Sequence, residues 1–147
     1  MEQYISNSEE ETVNIAKKFA DKINKGNIIC LYGNLGMGKS VFARSMIKQL
    51  TKNPNEEVPS PTYTLVQKYN SDKSEIYHYD LYRINDPEEI WELNWEEAVI
   101  NSITIIEWPE RLGYLLPDNY IRIEISHDSD KIHRIIKISN HNETNNK

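Results

Sequence analysis

Apolar positions recur along this chain with two periods, and the switches between them mark out its elements. Ser8 and Glu11 stand at capping-box spacing, and Ile15, Ala16, Phe19 and Ile23 follow at helical intervals until Gly26. Residues 27–32 form a short, branched apolar run, which predicts a buried strand. A glycine-rich stretch, residues 33–40, leads into a second helical pattern through Val41, Phe42, Met46, Ile47 and Leu50. Residues 51–61, rich in Asn, Pro and Glu, read as a loop. Strand-like runs at 63–69 and 75–81 flank residues 70–74, the pattern of an antiparallel hairpin with a five-residue loop. Asp86, Pro87 and Glu89 open a helix that continues through Ile90, Trp91, Leu93 and Ala98. Residues 102–107 are again β-branched and are closed by Trp108-Pro109. Ile121, Ile123 and Ile125 alternate with Arg122, Glu124 and Ser126, and Asp128-Ser129-Asp130 turns that strand into a hairpin partner at 131–138. The interleaving predicts an α/β fold with three layers, and the hairpins make its sheet mixed. One domain is expected over residues 1–138, followed by a polar, frayed tail at 139–147.

Composition narrows the function classes. A chain of 147 residues can bury roughly 70% of its unfolded surface, enough for a core without metal or disulfide staples. Seventeen basic against 23 acidic residues give a net charge of −6, which argues against a free-standing nucleic-acid binder and leaves room for action through a partner. Cys30 is the single cysteine, and no Cys/His spacing resembles a zinc site. No apolar run approaches the roughly 20 residues of a membrane span and the acidic start has no signal-peptide pattern, so a cytoplasmic protein is expected.

Gly33-Asn34-Leu35-Gly36-Met37-Gly38-Lys39-Ser40 satisfies the Walker A pattern without mismatch. Its glycines let successive backbone N–H groups turn inward around phosphates, while the next helix points its positive end at them. Lys39 would reach the β- and γ-phosphates and the Ser40 hydroxyl would bind Mg²⁺. A strand before the motif and a helix after it are both predicted, which points to a P-loop NTPase-like fold. Hydrolysis at such a site also needs an acid at the end of a neighbouring strand. Asp80 and Glu107 both qualify; the Glu107 strand is the more apolar and better fits the central position beside the P-loop strand. Spacing alone does not divide the roles between them. Ser60 and Thr62, flanking Pro61, lie in a loop where hydroxyls can sense the γ-phosphate, though spacing alone favours a proline-fixed turn with Ser and Thr as local caps. His78, His127, His133 and His141 show no ligand spacing, and His78 reads as a strand residue. No guanine-reading Asn-Lys-x-Asp follows the P-loop, so ATP is preferred over GTP.

The P-loop segment 31–40, Ser60-Pro61-Thr62-Tyr63-Thr64-Leu65-Val66, His78-Tyr79-Asp80-Leu81-Tyr82-Arg83 and Ile106-Glu107-Trp108-Pro109, in that order, resemble the TsaE family. These are small bacterial P-loop ATPases required for making threonylcarbamoyladenosine in tRNAs that read codons beginning with A. The resemblance implies an ATPase that works with a threonylcarbamoyl transferase subunit and its dimerisation partner, licensing or resetting the transferase rather than transferring the group. It implies contact with tRNA only through that complex. It also implies that residues 35–40 hold phosphates, that Ser40 and Glu107 hold Mg²⁺, and that Asp80 fills the acidic position needed for hydrolysis. Ser60 and Thr62 would belong to a switch-like loop, Trp108 would buttress Glu107, and Thr12 would lie near the nucleotide base. Met37 stands where the family usually has Ala, Ser40 where it usually has Thr, and Asn94 where Gly is common. Two other functions fit the P-loop: a small-molecule kinase, which would need an acceptor pocket and an arginine-bearing lid, and a nucleotide-sensing module without useful hydrolysis.

Overall fold

The structure is a computed structural model that describes residues 1–34, 36–130 and 132–142. Its elements run β1 (Glu2–Ser6), α1 (Glu9–Ala20), β2 (Ile28–Tyr32), α2 (Lys39–Thr51), β3 (Val66–Asn70), β4 (Glu75–Asp80), a 3₁₀ segment (Pro87–Leu93), α3 (Trp95–Asn101), β5 (Ile103–Glu107), a second 3₁₀ segment (Pro109–Leu115), β6 (Asn119–His127) and β7 (Arg134–Asn142). The Ser8 hydroxyl caps α1 by accepting from the Glu11 N–H, and the Glu11 carboxylate reaches back to the Asn7 N–H.

The strands form one sheet in the order β1-β7-β6-β2-β5-β4-β3. The central β6-β2-β5-β4 block is parallel, and β1, β7 and β3 pair antiparallel at its flanks, so the sheet is mixed as expected. Helices α1 and α2 cover one face, where Phe19, Phe42, Met46 and Ile47 pack with Ile29, Leu31, Ile105 and Ile123. On the other face, Ile90, Trp95, Ala98 and Leu112 from α3 and the 3₁₀ segments pack with Cys30, Tyr79 and Ile106. Three layers result, because a parallel sheet must bury both faces. β5 is buried along its whole length and lies against β2, which agrees with the central place predicted from its apolar sequence.

Several boundaries differ from the sequence expectation. β1 lacks a strong local pattern; it exists because β7, from the far end of the chain, offers it a partner edge. The run expected at 63–69 becomes a strand only at Val66, since Leu65 turns with φ 70°. The helix expected to run from Asp86 through Ala98 is divided at Asn94, whose left-handed backbone (φ 57°, ψ 33°) ends one segment and begins the next. Asn is the residue after Gly that tolerates this conformation best, so the break survives without the glycine. The frayed tail expected from 139 is corrected in its first part: β7 continues to Asn142, paired with Asn119 across the hairpin. Residues 143–147 lie outside the described residues.

Gly33, at the end of β2, adopts φ 145°, and a Cβ there would stand 2.5 Å from the carbonyl oxygen of Ile125 on β6. Both the backbone angle and the close approach require glycine. Gly33→Ala is therefore expected to lower unfolding stability by about 1–3 kcal/mol in urea titration with an unchanged m-value. A variant as stable as the parent would contradict this packing of β6 on the loop.

Candidate active site

The parallel register brings the chemistry to one end of the sheet. Asp80 and Glu107 close β4 and β5 and are paired residues in neighbouring strands, while Leu31, beside Glu107 on β2, stands just before the glycine-rich loop. The carboxyl ends of parallel strands are where open α/β sheets bind ligands. Alternation along the strands puts His78, Asp80 and Glu107 on the face covered by α2.

The loop hands the chain to α2 at Gly38 (φ 110°), and among the described residues no side chain caps this helix nor does an acid sit in its first turn. α1, by contrast, carries both a serine cap and three glutamates in its first turn. The orphan N–H groups and positive end of α2 are thus left open for an anion. Beyond them lies a cavity of about 400 Å³ lined by Gly36, Gly38, Lys39, Ser40, Ser60, Thr62, Asp80, Tyr82, Glu107 and Trp108. A second cavity, about 230 Å³, shares Gly36, Gly38 and Val41 with the first and is lined on its far side by Ser6, Thr12, Met37 and Arg134. The two flank the glycine-rich loop, as an elongated ligand crossing it would require.

Buried polar side chains are costly unless they are partnered, so their distribution is informative. Ser45, Ser102 and Thr104 bond backbone carbonyls of their own neighbourhood. The others, Ser6, Thr12, Lys39, His78, Asp80 and Glu107, all gather around these two cavities or behind them. Ser40 Oγ donates to Glu107 Oε1 at 3.1 Å, and Glu107 Oε2 meets His78 Nε2 at 2.7 Å. Asp80 accepts from Thr62 Oγ1 at 3.0 Å and from the Tyr82 N–H at 3.1 Å, and Thr62 Oγ1 lies 2.7 Å from Ser60 Oγ. Lys39 is 5% exposed, pairs with no carboxylate among the described residues, and rests its ammonium 3.7 Å from the centre of the Trp108 ring. Burial pushes its pKa below the ordinary lysine value, against the opposing pull of Glu110, Glu107 and Asp80. A cation held in this way is available to an incoming anion.

The family model described as "Threonylcarbamoyl adenosine biosynthesis protein TsaE" matches residues 6–136. The chain belongs to the TsaE family. A protein of Rickettsia bellii named tRNA threonylcarbamoyladenosine biosynthesis protein TsaE is 45% identical over 139 residues, 94% of either chain. Its namesake in Aquifex aeolicus is 38% identical over 112 residues, 76% of this chain and 79% of its own. The crystal structure of Bacillus subtilis YdiB has the same fold, with a TM-score of 0.73 at 24% identity, covering 95% of this chain and 84% of that one.

Of the residues that the TsaE resemblance singled out, the fold brings Gly36, Gly38, Lys39, Ser40, Ser60, Thr62, Asp80, Glu107 and Trp108 to one cavity, and Thr12 and Met37 to the adjoining one. Gly33 stands behind the loop, against β6, and Leu35 lies outside the described residues. Trp108, expected beside Glu107, presents its ring to Lys39 and to Tyr82, 4.9 Å away between ring centres. His78 is more than the strand residue expected from sequence, since it is hydrogen-bonded to Glu107. Its signal was available in the alternation with Asp80 along β4. Arg134 had no local signal: its guanidinium donates to the carbonyls of Met37 (3.2 Å) and Gly36 (3.4 Å), bracing the loop from β7. Among the described residues no helix is long and apolar enough to cross a membrane.

Proposed function

We propose that this chain binds and hydrolyses ATP with Mg²⁺, as an accessory subunit in the formation of threonylcarbamoyladenosine in tRNA. Family membership and the names of its relatives support the pathway. The observation that carries the chemistry is the uncapped start of α2 facing Lys39, the Ser40–Glu107 pair and Asp80 across one cavity. The donor set fits a small hard cation: the Ser40 hydroxyl and the Glu107 and Asp80 carboxylates are oxygen donors lining one cavity. Ser40 and Glu107 would hold Mg²⁺, which neutralises phosphate charge when bound.

Backbone N–H groups of the loop and the first turn of α2 receive the phosphate oxygens, and the Lys39 ammonium leaves the Trp108 ring to meet the β- and γ-phosphates. The base lies toward the cavity of Thr12 and Arg134. Asp80 orients the attacking water and takes up its proton as the new bond to the γ-phosphorus forms and the bond to the β,γ-bridging oxygen breaks, releasing ADP and phosphate. The hydrogen-bonded chain Asp80–Thr62–Ser60 links this event to the loop before β3, so nucleotide state is passed to an exposed segment. The transferase subunit and its dimerisation partner read that state, and tRNA is met through them, in keeping with the acidic net charge and a cytoplasmic place of work.

Add-back to a reconstituted modification reaction tests the assignment. Transferase, its partner, the threonylcarbamoyl donor and tRNA are expected to stop after about one turnover per complex and to resume when this chain and ATP are added. Modification that proceeds equally without the chain would contradict it.

A further inference from the structure

We infer that His78 is a positioning residue that clamps Glu107, orienting the free side of its carboxylate toward Ser40 and a divalent cation. The inference rests on the reading of Glu107 as a Mg²⁺ ligand given above. In the β4–β5 register Asp80 faces Glu107 and His78 faces Ile105, so His78 reaches diagonally, one pleat back, to Glu107. Its Nε2 lies 2.7 Å from Oε2, and both side chains are only 3% exposed. The other oxygen, Oε1, accepts from Ser40 at 3.1 Å. Each oxygen of a nearly dry carboxylate therefore has one defined partner, and the plane of the group is fixed from behind.

The remaining imidazole nitrogen decides how His78 does this. Nδ1 is buried and has no hydrogen-bond partner. A proton there would be an unsatisfied buried donor, so the geometry assigns Nε2–H as the group that donates to the carboxylate. Sheet packing alone does not call for the group: β4 presents Ile76 on the same face, and an aliphatic side chain at 78 would avoid a stranded nitrogen. The contact with Glu107 is the one polar interaction of the imidazole among the described residues. Partners that orient a metal-binding carboxylate in this way tune affinity for the cation.

Binding of a fluorescent ATP analogue to the full chain, first in EDTA and then across a Mg²⁺ titration, tests this role. His78→Asn retains a polar amide but is too short to reach Glu107, whereas His78→Gln can place its amide nitrogen near the lost Nε2. The Mg²⁺ concentration for half-maximal response is expected to rise about 10- to 100-fold in His78→Asn and to return toward the parent value in His78→Gln, with affinity in EDTA unchanged in both. Should the Asn variant fail to fold by circular dichroism, His78→Phe, which fills the site with an aromatic ring that has no donor, takes its place. An unshifted Mg²⁺ response in a folded variant, or equal loss of affinity with and without Mg²⁺, would overturn the role of His78. Glu107→Gln separates the two levels. If it too leaves the Mg²⁺ response unshifted, the reading of Glu107 itself fails; if it shifts the response and the His78 variants do not, only the clamp fails.

Discussion

Lys39→Ala is expected to reduce ATP hydrolysis by at least roughly 10²–10³-fold, the loss associated with removing one preorganised group that meets developing charge. The structure gives the reason a smaller effect would be surprising. Among the described residues this is the buried lysine that lines the site, and it rests against the ring of Trp108 rather than a carboxylate. Its charge is poorly compensated until phosphate arrives, and the free protein bears the cost. Burial lowers the folded pKa below the unfolded lysine value, so the unfolded chain binds more protons between those two values. Stability of the free protein should accordingly rise as pH climbs through that window, and the alanine variant should lose this rise. At neutral pH the variant should unfold no more easily than the parent. Saturating ATP tells them apart: at 100 times Kd a ligand adds about 2.7 kcal/mol to stability, a gain the parent shows in thermal unfolding and the variant lacks. A variant stabilised by ATP as strongly as the parent would remove Lys39 from the phosphate site.

Asp80→Asn should separate binding from hydrolysis. Both oxygens of Asp80 are used, one by the Thr62 hydroxyl and one by the Tyr82 N–H. An asparagine keeps one carbonyl acceptor for the Tyr82 N–H and offers its amide to the Thr62 oxygen, which can accept as well as donate. The loop geometry is preserved and the ability to take a proton is lost. Turnover should fall roughly 10²–10⁴-fold, the usual contribution of a positioned general base, while Mg²⁺-dependent nucleotide affinity changes little. The same variant distinguishes an ATPase from a module that merely senses nucleotide. If hydrolysis drives the pathway, modification of tRNA falls with turnover. If occupancy alone suffices, it continues.

The parts of the molecule that were legible in the sequence are those whose signal is local. The Walker A motif, its flanking strand and helix, the apolar β5 and the alternating β6 each announce themselves within about ten residues, and the structure has them where expected. Asp80 and Glu107 were found as strand ends, yet their pairing across β4 and β5 needed the parallel register. What the sequence hid depends on distant partners. β1 is a strand because β7 lies beside it, and Arg134 supports the glycine-rich loop from 97 positions away. His78 stands two positions before Asp80 on the same face of β4, but that spacing does not reveal its hydrogen-bond partner Glu107, 29 positions on. The division at Asn94 was hidden for a different reason, since the helical periodicity on both sides continues past a residue that merely tolerates the left-handed turn.

The most direct test of an accessory ATPase is the rate of ATP turnover by the purified chain, alone and then with the transferase, its dimerisation partner and tRNA, with Lys39→Ala run in parallel. Slow turnover alone that rises on adding the complex, and no such rise for the variant, is the predicted result. Turnover that the complex leaves unchanged would contradict the account and would direct attention to a different phosphoryl acceptor.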